Sequence, residues 1–214
     1  MHVVITGANR GIGAALMDSY AARGDSVTGT ARQPGELARL DVTDPDSHAA
    51  FTRDLDGRAV DLLICNAGVY LDKGQELGDG YPPQMWADSF AVNVTGVFMT
   101  IQNLLPNLQS ARRARIAIIS SQMASDTRAP GGSYIYRASK AAALNLGRNL
   151  ATDLKPLGIA VGIYHPGWVR TDMGGDAADI TVEQSAAGLE ARFDSLDLDT
   201  SGCFQTWDGQ DHPY

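Results

Sequence analysis

VVITGANRGIGAAL, residues 3–16, decides how the rest of the chain is read. Val3 to Thr6 is a short β-type run and Ile12 opens a helical one, so a strand passes directly into a helix across TGANRGIG. Gly7 permits the tight turn, Gly11 removes a Cβ that would obstruct an approaching phosphate, and Gly13 lets the new helix lie against the sheet. The first N–H groups of such a helix have no partner inside it, and they attract anions. Glycine trios also occur in plain turns and caps. A trio at a strand-to-helix transition favours a pyrophosphate.

Working outward, β-type runs recur at Ser26–Thr30, Asp61–Cys65, Arg115–Ser120 and Ile159–Tyr164. They are nearly continuous in apolar residues, which suits strands buried on both faces. Helical periodicity fills residues 12–23, 45–55, 84–105 and 134–154 between them, with a further helix expected over 182–196 and an edge strand with a turn over 202–209. The alternation predicts an α/β architecture: a single-domain Rossmann fold over 1–214, with a doubly wound parallel sheet of about seven strands and helices on both faces. Ligands of such a sheet gather beyond the carboxyl ends of its strands. Residues 66–68, 120–121 and 165–171 follow three strand ends and are expected to share one rim. The stretches 71–83 and 121–133, rich in Gly, Pro and polar residues, read as loops.

The 214 residues suit one domain. Against 25 acidic residues stand 17 Lys and Arg, a formal charge of −8 that argues against nucleic-acid or anionic-membrane partners. No signal-like segment or 18-residue apolar run is seen, which leads to a cytoplasmic expectation. For the same reason the NVT sequon at Asn93 is discounted as a glycosylation site. Cys65 and Cys203 lack metal spacing and read as reduced structural thiols, with no metal expected.

Cofactor choice turns on the residue after the second strand, where a carboxylate would suit a ribose hydroxyl and repel a 2′-phosphate. TGTAR supplies Arg32, and Arg10 lies in the glycine turn; two guanidiniums favour NADP(H) over NAD(H). Either arginine could instead be a solvated surface charge.

Tyr136 and Lys140 in YRASK stand four apart, on one helix face. An ammonium beside a phenol favours the phenolate, so Lys140 is expected to lower the Tyr136 pKa. Ser121 ends IAIISS and is placed to hold a carbonyl oxygen beside that phenol, with Ser120 aimed the other way by strand alternation. Asn93 lies inside a helical run, where a short polar side chain suggests a hydrogen-bond task, either positioning a water or a structural contact. Tyr136 as an ordinary buried aromatic is the competing reading.

TGANRGIG, Asp41-Val42, CNAG, Asn93, Ser121, YRASK and PGWVRT occur in the order found in the short-chain dehydrogenase/reductase family, which the chain resembles over nearly its whole length. The resemblance implies an Asn93–Ser121–Tyr136–Lys140 tetrad: a proton-relay water on Asn93, substrate orientation by Ser121, acid/base work by Tyr136, and Lys140 serving both Tyr136 and the nicotinamide ribose. It further implies that Gly7, Asn9, Arg10, Gly11, Ile12 and Gly13 cradle the cofactor. Arg32, Asp41, Val42, Asn66, Ala67 and Gly68 fall on its adenosine side, and Pro166, Gly167, Val169 and Thr171 flank the nicotinamide. GGSYIYRASKAAALN and GCFQTWDGQDHPY look most like the small Sniffer and C-factor-like branch. The chain departs from the usual family pattern in reading CNAG and in its longer Ser121-to-Tyr136 loop.

The expected activity is carbonyl reduction or the reverse alcohol oxidation; the rival is an NADP(H)-binding regulatory protein of C-factor type. A sugar epimerase is disfavoured by the glycine spacing. His165 is expected to pack or to shape a turn. Substrate contacts are expected from 122–133 and 172–181, with Met123, Trp168 and Met173 as apolar candidates and Gly174-Gly175 as a flexible element. The resemblance implies a homodimer, or a tetramer, through the helices bearing Asn93 and Tyr136.

Overall fold

The computed structural model describes residues 1–214 and contains one seven-stranded, wholly parallel sheet. Its strands are β1 (His2–Ile5), β2 (Ser26–Ala31), β3 (Ala38–Arg39), β4 (Leu62–Cys65), β5 (Arg115–Ile119), β6 (Ala160–His165) and β7 (Phe204–Thr206). They stand in the order β3-β2-β1-β4-β5-β6-β7. Chain direction across the sheet therefore reverses between β1 and β4, where Val3 pairs with Ser26's neighbour Val27 on one side and Leu62 on the other. That reversal opens a crevice above the strand ends.

The helices are α1 (Gly11–Ala22), α2 (Pro45–Leu55), α3 (Pro83–Phe90), α4 (Gly96–Gln109), α5 (Tyr134–Leu154) and α6 (Val182–Ser195). Continuous apolar strands bury both faces, as expected of a covered parallel sheet. On one face Val4, Leu63, Ile116 and Val161 pack under Phe51 of α2, Leu104 of α4 and Leu154 of α5. On the other, Val3, Ile5, Leu62 and Tyr164 pack under Leu16 and Tyr20 of α1 and Leu189 and Phe193 of α6.

Local chemistry sets the helix ends. Asp44 caps α2 by accepting from Asp46 N at 3.0 Å, with Pro45 in the first turn, and Thr181 and Gln184 form a reciprocal capping box on α6. The helix expected over 84–105 is interrupted: Ala91–Thr95 forms a π turn between α3 and α4. An inserted residue of this kind leaves the apolar periodicity nearly intact on either side, and such turns are frequent at functional sites. Asn93 sits within it.

Candidate active site

The glycine turn is closed by backbone contact. A Cβ on Gly13 would run into Gly7 O and the Asn66 amide, and one on Gly7 would lie 3.0 Å from Ala67 Cα, where φ is already +66°. Asn66 Nδ2 donates to Thr6 O and Gly7 O, both at 3.0 Å, while Thr6 Oγ1 accepts from Asn66 N and Ala67 N. The ends of β1 and β4 are thereby locked together. Gly11 (φ +55°) faces Thr171 across a gap that its own Cβ would narrow to 3.4 Å. The N-terminus of α1 has no side-chain cap and no acidic residue in its first turn, so its N–H donors stay available. This cradle fits a pyrophosphate.

Arg10 is ion-paired with Asp172, which follows Thr171, so the glycine turn and the β6 loop are bridged at the mouth of the crevice. The pair is exposed, and such pairs hold weakly enough for a phosphate to compete. Arg32 lies exposed just beyond β2. Burial would raise the Asp41 carboxyl, but hydrogen bonds from Thr43 and the charges of Arg32 and Arg39 bring it below its usual range. Val42 packs over Gly96 of α4.

Asn93, Ser121, Tyr136 and Lys140 are all buried, at 1%, 6%, 8% and 5% exposure, around one end of the crevice. The Ser121 hydroxyl faces the Tyr136 phenol and favours its ionised form, and its oxygen accepts from Met123 N at 3.1 Å. Ser120 is turned away and donates to Lys140 O at 3.0 Å. Lys140 Nζ donates to Ile119 O at 2.9 Å and stands 5.7 Å from the Tyr136 ring centroid. Gly68 packs against this group: a Cβ there would lie 3.3 Å from Asn93 Oδ1 and 3.4 Å from Lys140 Nζ.

Two expectations need correction. Lys140 does not lower the Tyr136 pKa in this structure; burial pushes the phenol up to about 12, partly offset by Ser121, and burial lowers Lys140 to about 8. Desolvation disfavours the charged form of each group. Gly174 is not a free hinge either, because a Cβ there would strike Val169 O; it is a close-packing residue, and Trp168 Nε1 donates to its carbonyl at 3.0 Å.

The Asn93 side chain makes three hydrogen bonds. Oδ1 accepts from Val69 N, and Nδ2 donates to Val69 O and Ser139 Oγ. Pro166 O accepts from Ser185 Oγ, Gly167 (φ +90°) packs on Ile180 and Trp207, and Val169 bridges Ile180. His165 is buried, which lowers its pKa to about 4, and its carbonyl accepts from Trp207 N. Trp168 and Met173 stand at the rim, 46% and 39% exposed. Three neighbours of Tyr136 carried no sequence signal: Tyr70, stacked on it at 4.2 Å between ring centroids, Asp72 and Ser139.

The family model for short chain dehydrogenase matches residues 1–180. The chain belongs to the short-chain dehydrogenase/reductase family. It is an oxidoreductase of the Sniffer and C-factor-like branch. It is 37% identical over 166 residues to the C-signal protein of Myxococcus xanthus, covering 77% of this chain and 99% of that one. The NADPH-bound carbonyl reductase from chicken fatty liver superposes with a TM-score of 0.91 at 30% identity, over 100% of this chain and 98% of the other. Carbonyl reductase Sniffer of D. melanogaster gives 0.91 at 25% identity, over 100% and 99%. No helix is long and apolar enough to cross a membrane.

Proposed function

We propose that residues 1–214 form a single catalytic domain that reduces a carbonyl compound with NADPH, with Tyr136 delivering the proton. The observation that carries this reading is the convergence of Ser121, Tyr136 and Lys140 beside the glycine-lined entrance to α1. When bound, the cofactor supplies the hydride. The glycine turn, residues 66–68 and residues 166–171 would hold it, and Arg32 and Arg10 would supply a 2′-phosphate site that favours NADP(H) over NAD(H).

A phenol pushed up to about 12 stays protonated at neutral pH, the form that donates. The alkoxide that forms from a carbonyl is far more basic than a phenolate, so the transfer still runs downhill. Ser121, which faces the phenol, holds the substrate oxygen within reach of the same proton. Lys140, lowered to about 8, remains largely cationic at neutral pH and supports the phenolate left behind. Asn93 fastens the loop at Val69 to α5; a relay water beside it is part of this reading. The protein acts in the cytoplasm as a homodimer through α4 and α5, a face on which Phe98 is 40% exposed.

NADPH consumption measured against a panel of aldehydes, ketones and quinones tests the proposal. Tyr136→Phe is expected to lower turnover on the order of 10³-fold while leaving NADPH binding unchanged. A silent panel in a protein that still binds NADPH would instead favour a regulatory binding role, the reading suggested by the likeness to C-signal.

A further inference from the structure

Asp72 is 1% exposed, yet none of the chain's ion pairs includes it. Its carboxylate instead accepts from Ile135 N at 2.8 Å and from Tyr136 N at 3.1 Å, the second and third residues of α5. The helix lacks a cap of its own. Ser133, at the N-cap position, is left-handed (φ +49°), and its hydroxyl is bonded to Tyr70 rather than to the helix. A carboxylate 64 residues away in sequence therefore supplies what the first turn needs, a negative charge and acceptors facing its free N–H groups.

The segment carrying Asp72 is itself fastened. At one end Asn93 holds Val69 through both its N–H and its carbonyl, each at 2.9 Å, and ties it to Ser139, whose hydroxyl donates to Tyr136 O at 2.9 Å. Between the two ends, the Tyr70 ring lies against the Tyr136 ring at 4.2 Å and 21°. Within this segment Tyr70 thus meets the ring and Asp72 the backbone of Tyr136, while Val69 is tied to it through Asn93 and Ser139.

We propose that Asp72 is a positioning residue for Tyr136: it fixes the first turn of α5, and with it the direction of the phenol. The inference rests on the proton-donor reading of Tyr136 above. The groups facing the phenol are Ser121 beyond β5, Tyr70 and Asp72 on the β4–α3 loop, and Lys140 on α5. Burial is the main influence raising the phenol, Ser121 opposes it, and Tyr70 and Asp72 add to the rise.

Asp72→Asn keeps the shape and one acceptor but removes the charge; Asp72→Ala removes both. With the fastest substrate of the panel, Asp72→Asn is expected to lower kcat about tenfold and Asp72→Ala about a hundredfold, with NADPH affinity within about twofold of the parent. The Tyr136 phenolate, read as the ultraviolet difference between each protein and its Tyr136→Phe counterpart, is expected at lower pH in Asp72→Asn than in the parent. This titration needs no substrate. The exposed loop acid Asp79, changed to Asn, should move neither quantity. A folded Asp72→Asn protein with parental kcat and a superimposable phenolate curve overturns the inference, as does a loss of thermal stability alone. If Asp72→Ala does not fold, Asp72→Asn decides. Undiminished turnover in Tyr136→Phe would mark a failure of the proton-donor reading itself, whereas an inactive Tyr136→Phe beside an unaltered Asp72→Asn would remove only this step.

Discussion

On the β1–β4 side of the crevice, the backbones of Gly7, Gly13 and Ala67 and the doubly bonded side-chain amide of Asn66 close on one another, with no room for one added carbon. On the β5–β6 side, Trp168 and Met173 project half-exposed from loops, and the buried groups are held by partners from distant segments. The first region is specified by backbone geometry, so its constraints are written in consecutive residues. The second is specified by side chains that meet only after folding. One side should therefore fail when volume is added, the other when a polar partner or an apolar wall is removed.

The largest effect is expected where backbone meets backbone. Gly13→Val must displace Gly7 O or the Asn66 amide, neither of which is the free end of a flexible side chain. NADPH affinity should fall more than about a hundredfold, and thermal denaturation should show a cost of about 1–3 kcal/mol from overpacking. Titration of cofactor fluorescence with purified protein measures the first. Binding within about tenfold of the parent would mean that this wall of the crevice yields, and the contrast between the two sides would be lost.

The same contrast explains what was legible before folding. TGANRGIG could be read because each glycine answers a local steric demand, and 45–55 and 134–154 match α2 and α5 because their apolar periodicity is unbroken. The π turn at Ala91–Thr95 could not, since inserting one residue shifts the apolar stripe without erasing it. β3 is only two residues long and has no pattern to detect. Asp72 sits in LDKGQ, which reads as a solvated turn; its burial exists only because α5 begins beside it. The Tyr136–Lys140 spacing identified the pair, but its ionisation depends on how deeply the fold buries both, and no spacing records that.

An intermediate effect is expected at Arg32, on the cofactor side but exposed. Arg32→Ala removes a guanidinium without disturbing any close contact, so folding should be unaffected. If it holds the 2′-phosphate, the NADPH Michaelis constant should rise about tenfold, the loss of one charge-assisted hydrogen bond, while that for NADH barely moves. Equal changes for the two cofactors would assign Arg32 to surface solvation and leave Arg10 as the phosphate ligand.

The smallest effect is expected at Trp168, the outermost side chain on the β5–β6 side, which the proposed function makes a substrate wall. Its indole N–H bonds Gly174 O, and nearly half of its surface faces solvent, so Trp168→Ala removes wall area while the Gly174–Val169 packing remains. Losing that wall should raise the substrate Michaelis constant about three- to tenfold, the equivalent of about 1 kcal/mol of apolar contact, with kcat and NADPH affinity nearly constant. Interactions made equally in ground and transition states appear in the Michaelis constant, whereas those aligning the proton appear in kcat. A fall in kcat comparable to that of Asp72→Asn would therefore show that the rim helps aim the substrate oxygen at Tyr136. The boundary between a wall that binds and a loop that aligns would then lie further out than Ser121 and Asp72.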